Sequence, residues 1–165
     1  MDFLPPLEYN GGKPWTDKDI EDFISFENGN KLIWDGCSER LLAAKKVFEL
    51  EIKLRGWVVR YTSALRSFVY QAHLHDISKG PASKTAAGRV HAQSHGIRES
   101  GASYPNRASS PHILGVAFDA VVTANGRALN PAGAVINADL HRVALSCGFK
   151  TPPANDTVHF EISVR

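Results

Sequence analysis

The chain has 165 residues, 43% of them hydrophobic and 22% charged, a composition typical of one globular domain large enough to fold without disulfides. Its formal net charge of +2 is too small to indicate nucleic acid as a partner, and no apolar run approaches the roughly 18 residues that a membrane span needs. The opening residues, MDFLPPLEYNGGKPW, lack the basic and apolar regions of a signal peptide, so we expect synthesis in the cytoplasm without a leader.

Local patterns predict an α+β domain with a small, mostly antiparallel sheet and helices packed on it. The helix at 38–56 is amphipathic and stops at a glycine, and the strand at 57–63 is rich in β-branched and aromatic residues. In chain order the predicted elements are an irregular arm (1–15), two helices (16–29 and 38–56), a strand (57–63), a helix (64–77), a long loop (78–110), a strand (115–123), a helix (130–149) and a strand (157–164). Cys37 and Cys147 form no CxxC pair and are predicted to be buried thiols.

The segment Ser78–Ser110 is longer than most loops and has almost no periodic apolar residues. It carries five basic residues against a single glutamate. Two interpretations remain open for it: a solvated surface insertion, or a basic rim over a site that receives carboxylates.

The two C-terminal strands predict a site with a buried charge. Alternation along 157–164 puts His159 and Glu161 on the face opposite the apolar Phe160, while Asp119 interrupts an otherwise apolar strand. A buried carboxylate must be paired or bound to a metal. If the strands are neighbours, Asp119 meets His159, and His112 joins them from the turn that precedes the strand. Two imidazoles and a carboxylate with an open fourth position are typical of a catalytic zinc site.

These residues carry a resemblance to a known family. Ser110-Pro-His112-x-x-Gly115-x-Ala117-x-Asp119 matches the SxHxxGxAxD signature of the D-Ala-D-Ala metallopeptidases. This LAS group also includes phage L-alanyl-D-glutamate endolysins and the hedgehog signalling domain. The closing DTVHFE is similar to the DxxHxE ending of the phage-type endopeptidases, and SALRSFVYQ resembles the segment that carries the family's arginine. The resemblance covers residues 35–165 and leaves 1–34 as an N-terminal arm with a short helix.

The resemblance implies a LAS/hedgehog-like fold and a set of roles for individual residues. Ala64 and Leu65 stand where the family has Gly-Tyr, and the spacing from the arginine to the first histidine is longer than in the family. The implied roles are as follows: His112, Asp119 and His159 bind one Zn²⁺; Asp156 is the catalytic base; Arg66 holds the oxyanion; Ser110 and Gln71 contact substrate; and Glu161 orients a ligand histidine.

The resemblance also implies an enzyme, a zinc metallopeptidase that hydrolyses peptidoglycan stem peptides. Asp156-Thr-Val-His159 replaces the Glu-x-Trp-His of many carboxypeptidases, which favours an L-alanyl-D-glutamate endopeptidase. We expect a monomeric bacteriophage endolysin that degrades the cell wall after release through a holin or from the virion. The alternatives are a D-Ala-D-Ala carboxypeptidase or dipeptidase, and a zinc-stabilised binding module without hydrolytic activity.

Other histidines offer weaker sites. His91 and His95 have the spacing of HExxH, but position 92 is alanine and no glutamate base is present. His73 and His75 lie two apart in a predicted helix, do not share a face, and are expected to be exposed.

Overall fold

A computed structural model of the chain describes residues 32–79, 86–94 and 110–163. Over these residues it contains four helices and four strands, which confirms the predicted α+β class. The predicted arm and helix at 1–29 lie outside the described residues. The elements are α1 (Glu39–Leu54), β1 (Val58–Ser63), α2 (Phe68–Lys79), α3 (Ala86–Ser94), β2 (Ala117–Ala124), β3 (Arg127–Ala128), α4 (Ala138–Ser146) and β4 (His159–Glu161).

Strand β2 is the centre of the sheet. Strand β1 runs antiparallel along one edge of it, and β4 and β3 share the other edge, also antiparallel. Asp119 of β2 therefore lies opposite Ser63 of β1 on one side and opposite His159 of β4 on the other.

Alternation along β2 divides the core from the site. Phe118, Ala120 and Val122 are fully buried and face one hydrophobic cluster, to which α1 contributes Phe48. The ring of Phe48 lies 5.1 Å from that of Phe160 and 6.2 Å from that of Phe118, between centroids. Because successive side chains point to opposite faces of a strand, Asp119 faces away from this cluster.

Helix α1 follows its sequence pattern closely. The Ser38 side chain accepts a hydrogen bond from the Leu41 backbone N–H at 3.1 Å, which caps the first turn. The helix ends before Gly56, whose φ of +66° suits a glycine. With 16 residues it is the longest helix described, and within the described residues no helix is long and apolar enough to cross a membrane.

Three predicted elements differ from those observed. The loop predicted at 78–110 contains α3, and its two flanking segments (80–85 and 95–109) are not described. The helix predicted at 64–77 begins only at Phe68, where the Ser67 hydroxyl accepts from the Tyr70 N–H at 3.0 Å. The helix predicted at 130–149 begins eight residues later, because Asn137 caps it by accepting from the backbone N–H groups of the second and third residues after it.

Two further predictions, the exposure of His73 and the length of the last strand, are corrected by the structure. His73 is fully buried in α2 rather than exposed, and its ring lies 5.3 Å from that of His91 in α3. The last strand is shorter than predicted: β4 has three residues, continued by an isolated bridge between Phe149 and Ile162. The two cysteines are buried and free, as predicted.

Candidate metal centre

Three side chains converge at the end of β2 that lies next to β4. The His112 Nε2 and His159 Nδ1 atoms are 3.3 Å apart, and each faces Asp119 Oδ1, at 3.3 Å and 3.0 Å respectively. One ligand atom from each residue lies within 4.8 Å of the others. Among the described residues this is the group of histidine, cysteine and acidic side chains that could hold a metal ion.

The sheet register brings two of these residues together. Asp119 and His159 are Cα partners in the antiparallel ladder between β2 and β4. Side chains of directly opposed residues lie on the same face with Cβ atoms about 5 Å apart, so the register alone brings the carboxylate and the imidazole together.

The third residue, His112, is positioned by a tight turn that requires a glycine. His112 lies in the turn at 111–115, where the Gly115 N–H donates to the His112 carbonyl at 3.2 Å. Gly115 has φ of +63°, and a Cβ at this position would lie 2.7 Å from the Gly36 carbonyl oxygen and 2.8 Å from the Cys37 Cα. The chain passes too closely here for any side chain, which gives a physical reason for glycine in this motif.

A second hydrogen bond orients each imidazole. His112 Nδ1 lies 2.8 Å from the Ala64 carbonyl oxygen, which can only accept, so Nδ1 carries the proton and Nε2 presents its lone pair to the site. His159 Nε2 lies 3.4 Å from Glu161 Oε2, so in the neutral ring this contact favours the proton on Nε2 and leaves the lone pair on Nδ1. The two lone pairs and the Asp119 carboxylate therefore point at one volume.

The spacing of these donors fits a tetrahedral ion. Zinc bonds to nitrogen and oxygen of about 2.0–2.1 Å separate neighbouring ligand atoms by roughly 3.3–3.4 Å in a tetrahedron. The observed separations of 3.0 Å and 3.3 Å match that edge closely. Three protein donors of this kind leave a fourth position open, which is the arrangement of catalytic rather than structural zinc sites.

The electrostatics of the site favour an ionised carboxylate. Burial by itself would raise the pKa of Asp119, but His112, His159 and the Arg66 guanidinium hold that pKa well below its usual range. Burial by itself would lower the pKa of His159, yet the hydrogen bond and charge of Asp119, the charge of Asp156 and the hydrogen bond of Glu161 raise it. Asp119 is therefore an anion ready to bind a cation at neutral pH.

Arg66 and Gln71 lie together beside the carboxylate. Arg66 Nη2 is 3.5 Å from Asp119 Oδ2, and Arg66 Nη1 donates to Gln71 Oε1 at 3.2 Å. Gln71 is 1% exposed and its side chain holds the guanidinium, while its contact with substrate stays a prediction. The Arg66 N–H also donates to the His112 carbonyl at 3.3 Å, which ties the arginine segment to the histidine turn.

The remaining residues with implied roles surround the three donors. Ser110 is 2% exposed at the start of the histidine turn, and its carbonyl accepts from the Ile113 N–H at 3.0 Å. Asp156 is half-buried on the turn before β4, where its carbonyl accepts from the His159 N–H at 3.0 Å. Glu161 lies between His159 and Lys150, whose ammonium pairs with its other carboxylate oxygen.

Sequence reasoning missed Asn130, which lies inside the helix predicted at 130–149. Its side chain is fully buried and contacts β2 and the turn before β4. The Asn-Pro dipeptide at 130–131 is a turn signal that argues against a helix beginning there. Of the competing pair, His91 lies in α3 and His95 lies outside the described residues.

Comparisons with known proteins find a shared fold. No family model and no curated protein matches the chain. Among solved structures, that of the LdcB LD-carboxypeptidase, described as revealing peptidoglycan recognition, matches with a TM-score of 0.53 and 20% identity, over 76% of this chain and 58% of that chain. A mutant of the vancomycin resistance D,D-pentapeptidase VanY in complex with Zn(II) has a TM-score of 0.44 and 15% identity, over 85% of this chain and 86% of that one. The Serratia marcescens L-Ala D-Glu endopeptidase ChiX has a TM-score of 0.43 and 18% identity, over 90% and 96%. The chain therefore has the LAS-type fold that its sequence motifs imply, as in the LdcB structure.

Proposed function

We propose that this protein is a zinc-dependent peptidase that hydrolyses the stem peptides of peptidoglycan, with the L-alanyl-D-glutamate bond as its target. The observation that carries the proposal is the convergence of His112, Asp119 and His159 at tetrahedral spacing, with both imidazole lone pairs oriented inward. A ligand set with an open position indicates hydrolysis rather than a purely structural ion.

The chain's own residues supply the other groups that peptide hydrolysis requires. A zinc ion held by the three donors would polarise the scissile carbonyl and lower the pKa of water. Asp156 accepts a proton from the water whose oxygen adds to the carbonyl carbon, and it returns that proton to the amine nitrogen when the C–N bond breaks. Arg66 is within reach of the same volume, and its guanidinium donates to the carbonyl oxygen as negative charge develops there.

The assignment of Asp156 as base is supported by its place next to a metal ligand. It is half-buried on the turn that leads into β4, three residues before His159. Its negative charge is one of the causes that raise the pKa of His159, so the two groups interact. We infer that the Asp156 carboxylate faces the open side of the site without being one of the three donors.

The Asp156-to-Glu161 ending, DTVHFE, supports the endopeptidase over a D-Ala-D-Ala carboxypeptidase or dipeptidase. An endopeptidase acting at D-glutamate must bind a substrate with free carboxylates, and the basic composition of 78–110 suits that charge. We place the enzyme in cell wall lysis by a bacteriophage, acting on the wall after release through a holin or from the virion.

Digestion of purified peptidoglycan by the zinc-loaded protein, analysed by mass spectrometry, tests the proposal. A new N-terminal D-glutamate identifies the endopeptidase, and released D-alanine identifies the carboxypeptidase. A protein that holds zinc but releases neither product is a binding module, which would overturn the proposal.

The variant Asp156→Ala separates hydrolysis from metal binding. It should keep one zinc ion per chain and lose about 10²–10⁴-fold in kcat, because a positioned base contributes about that much. Asp139→Ala is the matched control, since Asp139 lies exposed on α4, pairs with Arg142 and is not part of the site. Equal activity of the two variants would exclude Asp156 as the base.

A further inference from the structure

Asn130 fills a gap between two strands that share one edge of β2. On that edge β4 pairs with Ala117–Asp119 and β3 pairs with Thr123–Ala124, so the stretch between them has no strand partner. The Asn130 side-chain amide occupies this position: Oδ1 accepts from the Val122 N–H at 2.9 Å, and Nδ2 donates to the Ala120 carbonyl at 2.8 Å. The amide thus makes the two hydrogen bonds that a peptide group of a neighbouring strand would make.

The same amide reaches the turn that carries the proposed base. Asn130 Nδ2 also donates to the Thr157 carbonyl at 3.1 Å. Thr157 is 1% exposed, and its hydroxyl donates to the Pro131 carbonyl at 2.9 Å. The same hydroxyl also lies 3.4 Å from the Asn130 carbonyl, so hydrogen bonds in both directions join residues 130–131 to residue 157.

This connection lies where β4 stops. The ladder between β2 and β4 ends at the pair of Asp119 and His159, followed by one more bond, from the Ala120 N–H to the Val158 carbonyl at 2.9 Å. Towards the N-terminus from Val158, the next residue is Thr157, and Asp156 precedes Thr157 on the turn before β4. Without the Asn130 donor, the buried carbonyls of Ala120 and Thr157 would each lose this hydrogen bond. The free-energy cost of leaving them unpaired favours movement of the turn at 156–157.

We propose that Asn130 is a positioning residue that holds Asp156 and His159 in place against Asp119. Its side-chain hydrogen bonds go to the backbone of Ala120, Val122 and Thr157, so it acts through the backbone of the segment 156–159. The part of this inference that concerns the base and the ligand rests on the proposed function. The part that concerns the segment's position rests on the hydrogen bonds alone.

The variant Asn130→Asp tests the inference with little change in shape, because it keeps one acceptor and replaces the donor to both carbonyls by an oxygen. Asn137→Ala is the matched control. Asn137 lies on the same connection and also makes side-chain hydrogen bonds to backbone N–H groups, but those bonds cap α4 and not the site.

Two measurements on the full chain distinguish positioning from general stability. The first is zinc affinity by competition with a chelator, where we expect Asn130→Asp to bind about 10–100-fold more weakly, as for loss of other supporting contacts. The second is hydrogen exchange of the Ala120 and His159 amides in metal-free protein, which should accelerate in Asn130→Asp and stay as in wild type in Asn137→Ala. Both variants should lower the midpoint of thermal unfolding.

The outcomes separate this inference from the proposed function. If Asn130→Asp matches Asn137→Ala in zinc affinity, or in exchange at those two amides, the inference is overturned. If the wild-type protein binds no zinc, the proposed function fails, while the exchange data still decide whether Asn130 holds the segment. If Asn130→Asp does not fold, Asn130→Ala removes the same side-chain hydrogen bonds without adding a charge, and the same two measurements on it decide the question.

Discussion

Replacement of Gly115 by alanine is the sharpest test of how the histidine turn is built. The new Cβ would lie 2.7 Å from the Gly36 carbonyl oxygen and 2.8 Å from the Cys37 Cα. Neither neighbour can rotate away, because both are backbone. The backbone segment 36–38 is also held in place, since the Ser38 N–H donates to the Gly115 carbonyl at 2.8 Å and Ser38 caps α1.

The expected cost has two parts that the structure separates. A φ of +63° is unfavourable for alanine by about 1–2 kcal/mol, and forcing an extra methyl against packed atoms costs roughly 1–3 kcal/mol more. We therefore expect Gly115→Ala to lower the free energy of unfolding by about 2–5 kcal/mol. Because the clash pushes the turn away from Gly36, His112 moves with it and zinc affinity falls as well.

Gly126→Ala is the control for the first part alone. Gly126 has φ of +75°, and nothing lies within 4 Å of the Cβ it would gain, so its cost should be about 1–2 kcal/mol without any effect on zinc. Urea denaturation of both metal-free variants gives the difference between their free energies of unfolding, and zinc affinity is measured on the same two proteins. Equal losses of stability in the two variants, or unchanged zinc affinity in Gly115→Ala, would refute the close-approach argument.

Three further predictions follow from the contacts around the site and in the core. Glu161→Ala should weaken zinc binding about 10–100-fold by removing the acceptor of His159 Nε2, whereas Lys150→Ala, on the other side of Glu161, should change it little; equal effects would contradict the orienting role. Tyr61→Phe removes the donor to Glu49 Oε1 at 3.0 Å and should lower the free energy of unfolding by about 1 kcal/mol near neutral pH. Burial and the Glu49 charge raise the pKa of Tyr61 in the fold, so its contribution is present below about pH 10 and lost above it; parallel stability curves for variant and wild type would refute this. The two buried thiols, whose pKa values burial raises, should react with a thiol reagent only on unfolding, and fast reaction of native protein would show otherwise.

Much of the site could be predicted because it depends on strand alternation and on turn residues, which are visible in short stretches of sequence. Alternation in β2 and β4 is a property of each strand alone, and it places Asp119 and His159 on the faces where the structure has them. The motif residue Gly115 marks the turn, and the cap at Ser38 marks the start of α1. The prediction of element bounds was wrong where the deciding contact was distant: the helix predicted from Asn130 begins only at Ala138, because the Asn130 amide is bonded to β2 and Asn137 caps the helix.

By itself, the sequence determined which residue types are available for a metal site and which strands present them. The tertiary structure alone decided how those residues are held. The bond from His112 Nδ1 to the Ala64 carbonyl spans 48 residues, and the bond from Asn130 to the Thr157 carbonyl spans 27. In both hydrogen bonds the acceptor is a backbone carbonyl, a group that every residue has. The residue type therefore does not indicate which carbonyl accepts, and only the folded chain brings the partners together.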